Sequence, residues 1–172
     1  MNFESTDKNK EFLLAYESYS DAIFRHCFFR VFNREEAVDI AQEAFIRTWE
    51  YIAKGNDVQN IRAFLYRVAN NLIIDRSRRK KPVSLDELQE VGFDPGTDET
   101  QKLNHRLQGR EAMALLAGLD KKYHDVIIMR FIDDLSPREI SEIIGESENA
   151  VSVRIHRGLK RARELMEQQE QQ

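Results

Sequence analysis

Proline and glycine are scarce. Three prolines and seven glycines in 172 residues leave few obligatory breaks. No stretch alternates apolar and polar residues for long, so the chain reads as nearly all-α. Cysteine is scarcer still: Cys27 stands alone, which excludes an internal disulfide. His26 beside it has no second Cys or His at ligand spacing. The pair therefore reads as an ordinary half-buried helical cysteine with a neighbour, and no metal or cofactor is expected. No apolar run approaches the length of a membrane span. The opening residues, MNFESTDKNKEF, are polar where a secretion signal would be apolar, so the expected setting is the cytoplasm, off the membrane. Catalytic constellations are missing too. Without a carboxylate cluster, a His/Cys set, a Gly-rich phosphate loop or an activated nucleophile, enzymatic chemistry is not expected. Asp133 and Asp134 read as a turn pair at a helix end.

What the chain does contain is enough apolar material for real cores, 41% of residues, and 33% charge. The net charge is −4, but it is unevenly spread. RSRRKK at 76–81 holds five cations in six positions. Residues 82–101 hold six acids (Asp86, Glu87, Glu90, Asp94, Asp98, Glu99) and no Lys or Arg. Residues 154–163 hold five cations again. Two basic surfaces joined by an acidic tether fit a nucleic-acid-binding protein whose overall charge weakens non-specific DNA affinity, so that a partner delivers it. The same segregation permits a compact form in which RSRRKK meets the acidic linker.

The most informative stretch is SPREISEIIGESENAVSVRIHRGLKRARELM, residues 136–166. Ser136 can cap a helix, Pro137 fits its first turn, and Glu139 completes a capping box. Ile140, Ile143 and Ile144 share one side. Gly145 permits a tight turn, and Ser147 offers a second cap. Val151, Ile155, Leu159, Ala162 and Met166 then form the buried stripe of a longer helix. Its other faces carry Asn149, Ser152, Arg154, His156, Arg157, Lys160, Arg161 and Arg163. This is a helix-turn-helix with a basic outer face, which favours DNA binding over a merely solvated cationic hairpin.

The remaining chain falls into ordered pieces. Residues 1–11 read as a tail. Residues 12–81 form one helical unit, opening with an aromatic helix or helix pair (Phe12, Tyr16, Tyr19, Phe24, Phe28, Phe29, Phe32) whose rings belong to a core. Asn33 can cap a second helix with inward Val38, Ala41, Phe45, Trp49 and Ile52. Asp39, Gln42, Glu43, Ile46, Arg47 and Glu50 are left outside, where Ile46 among acids suits either a docking surface or a solvated face. After the loop 54–60 comes a third helix, about 61–79, with inward Ile61, Phe64, Leu65, Val68, Leu72 and Ile73. Arg62, Arg67, Asn70, Asn71, Asp75, Arg76, Arg78 and Arg79 point outward. Arginines there suit phosphates and asparagines suit base edges. Pro82 ends this helix, and 82–104 reads as an acidic linker. A second helical unit covers 105–167: Met113, Leu115, Leu116 and Leu119 start its core, Asp120 caps the next helix, and Val126, Ile127, Met129 and Phe131 follow. Residues 168–172 read as a fraying polar tail.

Three motifs in this order resemble a bacterial RNA polymerase sigma factor of the extracytoplasmic-function (ECF) type. EEAVDIAQEAFIRTWE (35–50) resembles the family's core-binding helix. IRAFLYRVANNLIIDRSRRKK (61–81) resembles its −10 helix. YHDVIIMRFIDDLSPREISEIIGESENAVSVRIHRGLKRAREL (123–165) resembles its −35 reader. The resemblance implies an all-α protein of two small domains and a transcription initiation specificity factor that binds core RNA polymerase and promoter DNA. Asp39, Gln42, Glu43, Ile46 and Arg47 would dock on the clamp helices of the largest polymerase subunit, and the flap of the second-largest subunit would also be met. The loop 54–59, with Lys54 and Asn56, would capture a base flipped from the −10 element, with Asn71 behind it. Asn70, Asp75, Arg76, Arg78 and Arg79 would support that readout. Asn149, Ser152, Val153, His156 and Arg157 would face the −35 major groove, and Lys160 and Arg161 its phosphates. The acidic linker would thread toward the RNA exit path. Members are commonly held by an anti-sigma factor, which makes such a protein a candidate partner. Ser152 and Val153 depart from the basic and small polar residues frequent at those places, so the −35 sequence is not implied. The alternative reading is a stand-alone helix-turn-helix regulator binding an operator as a dimer. It predicts a dimerisation or ligand domain, which 12–81 does not resemble.

Overall fold

A computed structural model describes residues 3–79, 109 and 111–170; all of its regular structure is helical. α1 spans Phe3–Val31. It stops where Phe32 turns left-handed (φ 52°) and its N–H reaches back to the Phe28 carbonyl at 2.8 Å. Asn33 restarts the chain by accepting the Glu36 N–H at 2.9 Å, which opens α2, Arg34–Ala53. Gly55, at φ 89°, carries the chain out of α2. Asn60 accepts the Ala63 N–H at 3.0 Å and begins α3, Ile61–Arg79. After a helical stretch over 111–117 come α4, Lys121–Ile127, a π-helical turn, Ile128–Ile132, α5, Pro137–Ile144, and α6, Glu148–Glu170.

α1, α2 and α3 pack as a three-helix unit, with Ile23, Cys27 and Phe28 meeting Ala37, Ile40, Ala44, Phe45, Leu65, Ala69 and Leu72. In the second unit Val126, Met129, Leu135, Ile140, Ile143, Val151 and Ile155 fill the angle between α4, α5 and α6. Each fully buried branched residue contributes about 1.5–3 kcal/mol of transfer free energy. The two cores join into one apolar cluster.

Several sequence expectations shift. α1 begins at Phe3, inside the expected tail: Phe12 packs on Phe45 and Trp49 and anchors the helix start. The aromatic segment is one helix, not a pair. In α2 the most buried line is Ala37, Ile40, Ala44 and Thr48, with Val38 and Trp49 at its edges. The small residues lie where helices approach closely. In α3 Asn70 is buried although the inward stripe puts it outside, and Tyr66 is buried one turn before it, because α3 is covered on two sides. Phe131 is exposed rather than core, since the π turn rotates it outward, where the Arg130 guanidinium lies over its ring. Met166 is half exposed, and α6 continues past it through residues expected to fray, a run of strong helix formers. Asp120 occupies the cap position of α4 without a side-chain capping bond. The linker over 82–104, Lys80 and Lys81 lie outside the described residues, as does any contact between RSRRKK and the linker acids.

Candidate functional site

The helix-turn-helix is built as its sequence dictates. Ser136 Oγ accepts the Glu139 N–H at 3.2 Å while Glu139 Oε2 accepts the Ser136 N–H at 2.8 Å. The Ser136 N–H bond outweighs the cost of burial and, with the Arg62 charge, holds the Glu139 carboxyl below the usual carboxylate range. Gly145, at φ 73°, makes the left-handed turn. Ser147 Oγ accepts from Ala150 N–H at 3.2 Å to start α6. Val151 and Ile155 are buried beneath, and Gly158 lets α6 approach α4: a Cβ there would stand 3.1 Å from Ile127 Cγ1. Opposite them, Asn149, Ser152, Val153, His156, Arg157, Lys160 and Arg161 are all exposed. Their spacing of three and four places them on one face. Arg154, not expected in the site, is paired with Glu146 at the turn. Arg161 also meets Glu164 at 3.0 Å.

α2 offers a second surface. Asp39, Gln42, Ile46 and Arg47 are exposed and Glu43 is half-buried, again on one face. Ile46, 53% exposed, is the apolar residue within this charged face. Arg47 donates to Glu43 at 2.7 Å, an exposed pair that adds little stability but fixes both groups.

The third set divides. Lys54 and Asn56 lie exposed in the loop after α2, where Asn56 Nδ2 donates to the Tyr51 carbonyl at 2.9 Å. Between this loop and the start of α1, Asn56, Asp57 and Val58 face Lys8, Glu11 and Phe12 across a shallow cleft. Asn71 does not line it and stands ten residues along α3 from Ile61, about 15 Å of helical rise. The rings nearer the loop are Tyr51 and Phe64, 4.9 Å apart, with Arg67 over Phe64. Such platforms suit base stacking. Asn71, Asp75, Arg78 and Arg79 are exposed on α3, and Arg76 is half-buried. Asn70 is not: it is 2% exposed and accepts from Arg30 at 3.1 Å.

Arg30 and its neighbours form a polar set that the sequence did not announce. Arg30 pairs with Asp125 at 2.8 Å, His26 Nδ1 lies 2.6 Å from Asp133 Oδ2, and Arg62 donates to Glu139 at 3.0 Å. Each joins the first unit to the second across 77 to 107 residues of chain, so no local spacing signals it. The only hint was Asp133 beside a helix end, read as a turn residue. Burial pushes the Asp125 carboxyl up, yet the His124 hydrogen bond and the Arg30 and Lys121 charges together hold it below the ordinary carboxylate value. Among the described residues no cluster of His, Cys, Asp or Glu is placed to hold a metal ion, and no helix is long and apolar enough to cross a membrane.

Comparison with known proteins bears on both units. The Sigma-70 region 2 family model matches residues 15–83, and the Sigma-70 region 4 model matches residues 109–161. The chain is 35% identical over 158 residues to the ECF RNA polymerase sigma factor SigW of Bacillus subtilis (strain 168), spanning 86% of this chain and 84% of that protein. It is 28% identical over 138 residues to the RNA polymerase sigma factor SigV of the same organism, 80% of each chain. The fold is shared with a sigma factor from Bartonella quintana, RpoE, solved in complex with the anti-sigma factor NepR. The TM-score is 0.69 at 16% identity, covering 92% of this chain and 98% of that one.

Proposed function

Because the chain belongs to the ECF sigma factors, RNA polymerase-binding transcription initiation factors, we propose that its three exposed surfaces divide the work of initiation. Asp39, Gln42, Glu43, Ile46 and Arg47 dock on the clamp helices of the largest subunit of core polymerase. Ile46 supplies the apolar centre and the charges around it set orientation. α6 enters the −35 major groove. There Asn149, Ser152, His156 and Arg157 reach base edges or nearby backbone, Val153 meets a thymine methyl, and Lys160 and Arg161 hold phosphates. At the −10 element the loop 54–59 and the Tyr51/Phe64 platform receive a flipped base, while Asn71, Asp75, Arg76, Arg78 and Arg79 hold the melted strand. Unstacking costs a few kcal/mol, which stacking and pocket contacts offset. The protein itself catalyses nothing in this scheme and works in the cytoplasm, where an anti-sigma factor is a fitting partner.

The observation that carries this reading is the continuous exposed face of α6, from Asn149 to Arg161, standing on a buried Val151/Ile155 stripe with both helix caps formed. A stand-alone operator regulator is not favoured, since the SigW likeness runs through both units.

The test is transcription by core polymerase plus this protein from a library of randomised promoters. A recurring two-part motif is expected. Arg157→Ala should erase preference at the upstream half only, and Ile46→Asp should reduce polymerase binding at least tenfold. Initiation without an upstream motif, or unaltered binding by Ile46→Asp, defeats the corresponding assignment.

A further inference from the structure

α1 carries two unlike faces. Phe12, Ala15, Tyr19 and Ile23 turn inward, Phe12 onto Phe45 and Trp49 of α2. The opposite face is built from Lys10, Leu13, Leu14 and Glu17, which recur at intervals of three and four and are all exposed. Leu13 is 58% and Leu14 63% exposed, the highest values of any large apolar side chain among the described residues. A solvated helix position gains nothing from leucine that Lys, Glu or Gln would not supply, since all four are good helix formers. Tyr16, also exposed, leans on Phe45 and widens the apolar surface toward α2. Lys10 and Glu17 flank the leucines, and neither has an ion-pair partner among the described residues.

The order of these four residues is self-complementary. The midpoint of the face lies between Leu13 and Leu14. Lys10 stands three residues before Leu13, and Glu17 three residues after Leu14. A second copy laid antiparallel about a two-fold axis through that midpoint sets Lys10 of each chain against the partner's Glu17. The same operation sets Leu13 against the partner's Leu14. Two ion pairs then enclose an apolar centre, and no like charges meet among the four. A parallel pair would instead place lysine on lysine and glutamate on glutamate. The charges thus select both the partner, a second copy, and its direction.

We propose that the Lys10–Glu17 face of α1 is a self-association surface on which two copies of this chain pair antiparallel. Leu13 and Leu14 form its centre, and a Lys10–Glu17 ion pair closes either end. The overlap covers about two turns of helix, well below the roughly 1,200 Å² at which standard interfaces begin, so the dimer is weak and transient. The pairing depends on α1 alone and not on the promoter reading.

The experiment is sedimentation equilibrium of the full chain from micromolar to millimolar concentration at low salt. Wild type should show a monomer–dimer equilibrium that added salt weakens, because exposed ion pairs are screened. Leu14→Glu should raise the dissociation constant at least tenfold. Lys10→Glu, which sets acid against acid, should also weaken pairing, and Lys10→Glu combined with Glu17→Lys should bring it back near the wild-type value. If Leu14→Glu loses helicity by circular dichroism, Leu14→Gln takes its place with a loss in the same direction. The register is read by mixing Lys10→Cys chains with Glu17→Cys chains. The mixed disulfide should form much faster than either variant's own, since only positions 10 and 17 of opposite chains come within disulfide reach. Cys27 is buried and stays out of the reaction. A chain that is monomeric throughout, a charge swap that does not restore pairing, or a disulfide that favours identical positions overturns the proposal. If wild type stays monomeric while Leu14→Glu weakens binding to core polymerase, the face belongs to the polymerase instead.

Discussion

Cys27 and its neighbours show how much a single position owes to its surroundings. The sequence places a cysteine on a helix; packing makes it inaccessible and sets it beneath Arg30 and Asp133. Burial pushes its thiol up to about 12, with Asp133 adding to the rise and Arg30 opposing it. The thiolate is the reactive form. Cys27 is therefore expected to resist a disulfide reagent at mildly alkaline pH in the native chain and to react at once in denaturant, as thiol titration would record. Prompt native reaction would mean that the core around α1 opens readily. Tyr66 is governed in the same way: burial first, then Asp133, raise its hydroxyl well above the ordinary phenol value.

Among the elements, α5 and α6 are the ones most fully written in local sequence. Capping box, first-turn proline and left-handed glycine all act within a few residues of one another, so the same contacts form whatever else is nearby. Ser136→Ala removes one acceptor and half of the box and should cost about 1 kcal/mol. A lowered urea midpoint with unchanged slope would record it, and Ser136→Asp should restore most of the loss. An unchanged midpoint would show that Glu139 is fixed by Arg62 alone. The π turn is the contrary case. Nothing in IIMRFIDDL announces a wide turn, because its reason lies in what Asp133 meets.

At the level of the whole molecule, Asp125 links acidity to the contact between the two units, through its pair with Arg30. Its carboxyl is held below the ordinary value near 3.8 by His124, Arg30 and Lys121 against the opposing effect of burial. A lowered folded value means a contribution that is complete above that ordinary value and lost as pH falls below it. A spin-label distance between Ser18→Cys and Glu167→Cys, exposed positions on opposite units, should thus stay constant at neutral pH and lengthen below about pH 4. Asp125→Asn should flatten this acid-dependent step when spin-label distances are followed against pH. A step identical in Asp125→Asn would move the effect to other carboxylates.

The exposed face of α2 was legible because it depends on periodicity along one helix, and the family resemblance because three motifs stand in order along the chain. So was the exposed row from Asn149 to Arg161: a helix that buries Val151 and Ile155 must expose the residues between them. The sequence by itself determined most of the helices, the Asn33, Ser136 and Ser147 caps, the helix-turn-helix and the separation of acidic from basic segments, all consequences of interactions within a few turns. It could not determine that Asn70 is buried, that Phe131 is bare, or that His26 meets Asp133. Those depend on contacts between segments 40 to 107 residues apart and on the π turn that carries Phe131. Only the tertiary structure decided them, because burial and charge pairing between distant segments are set by how whole helices dock, which no local spacing encodes.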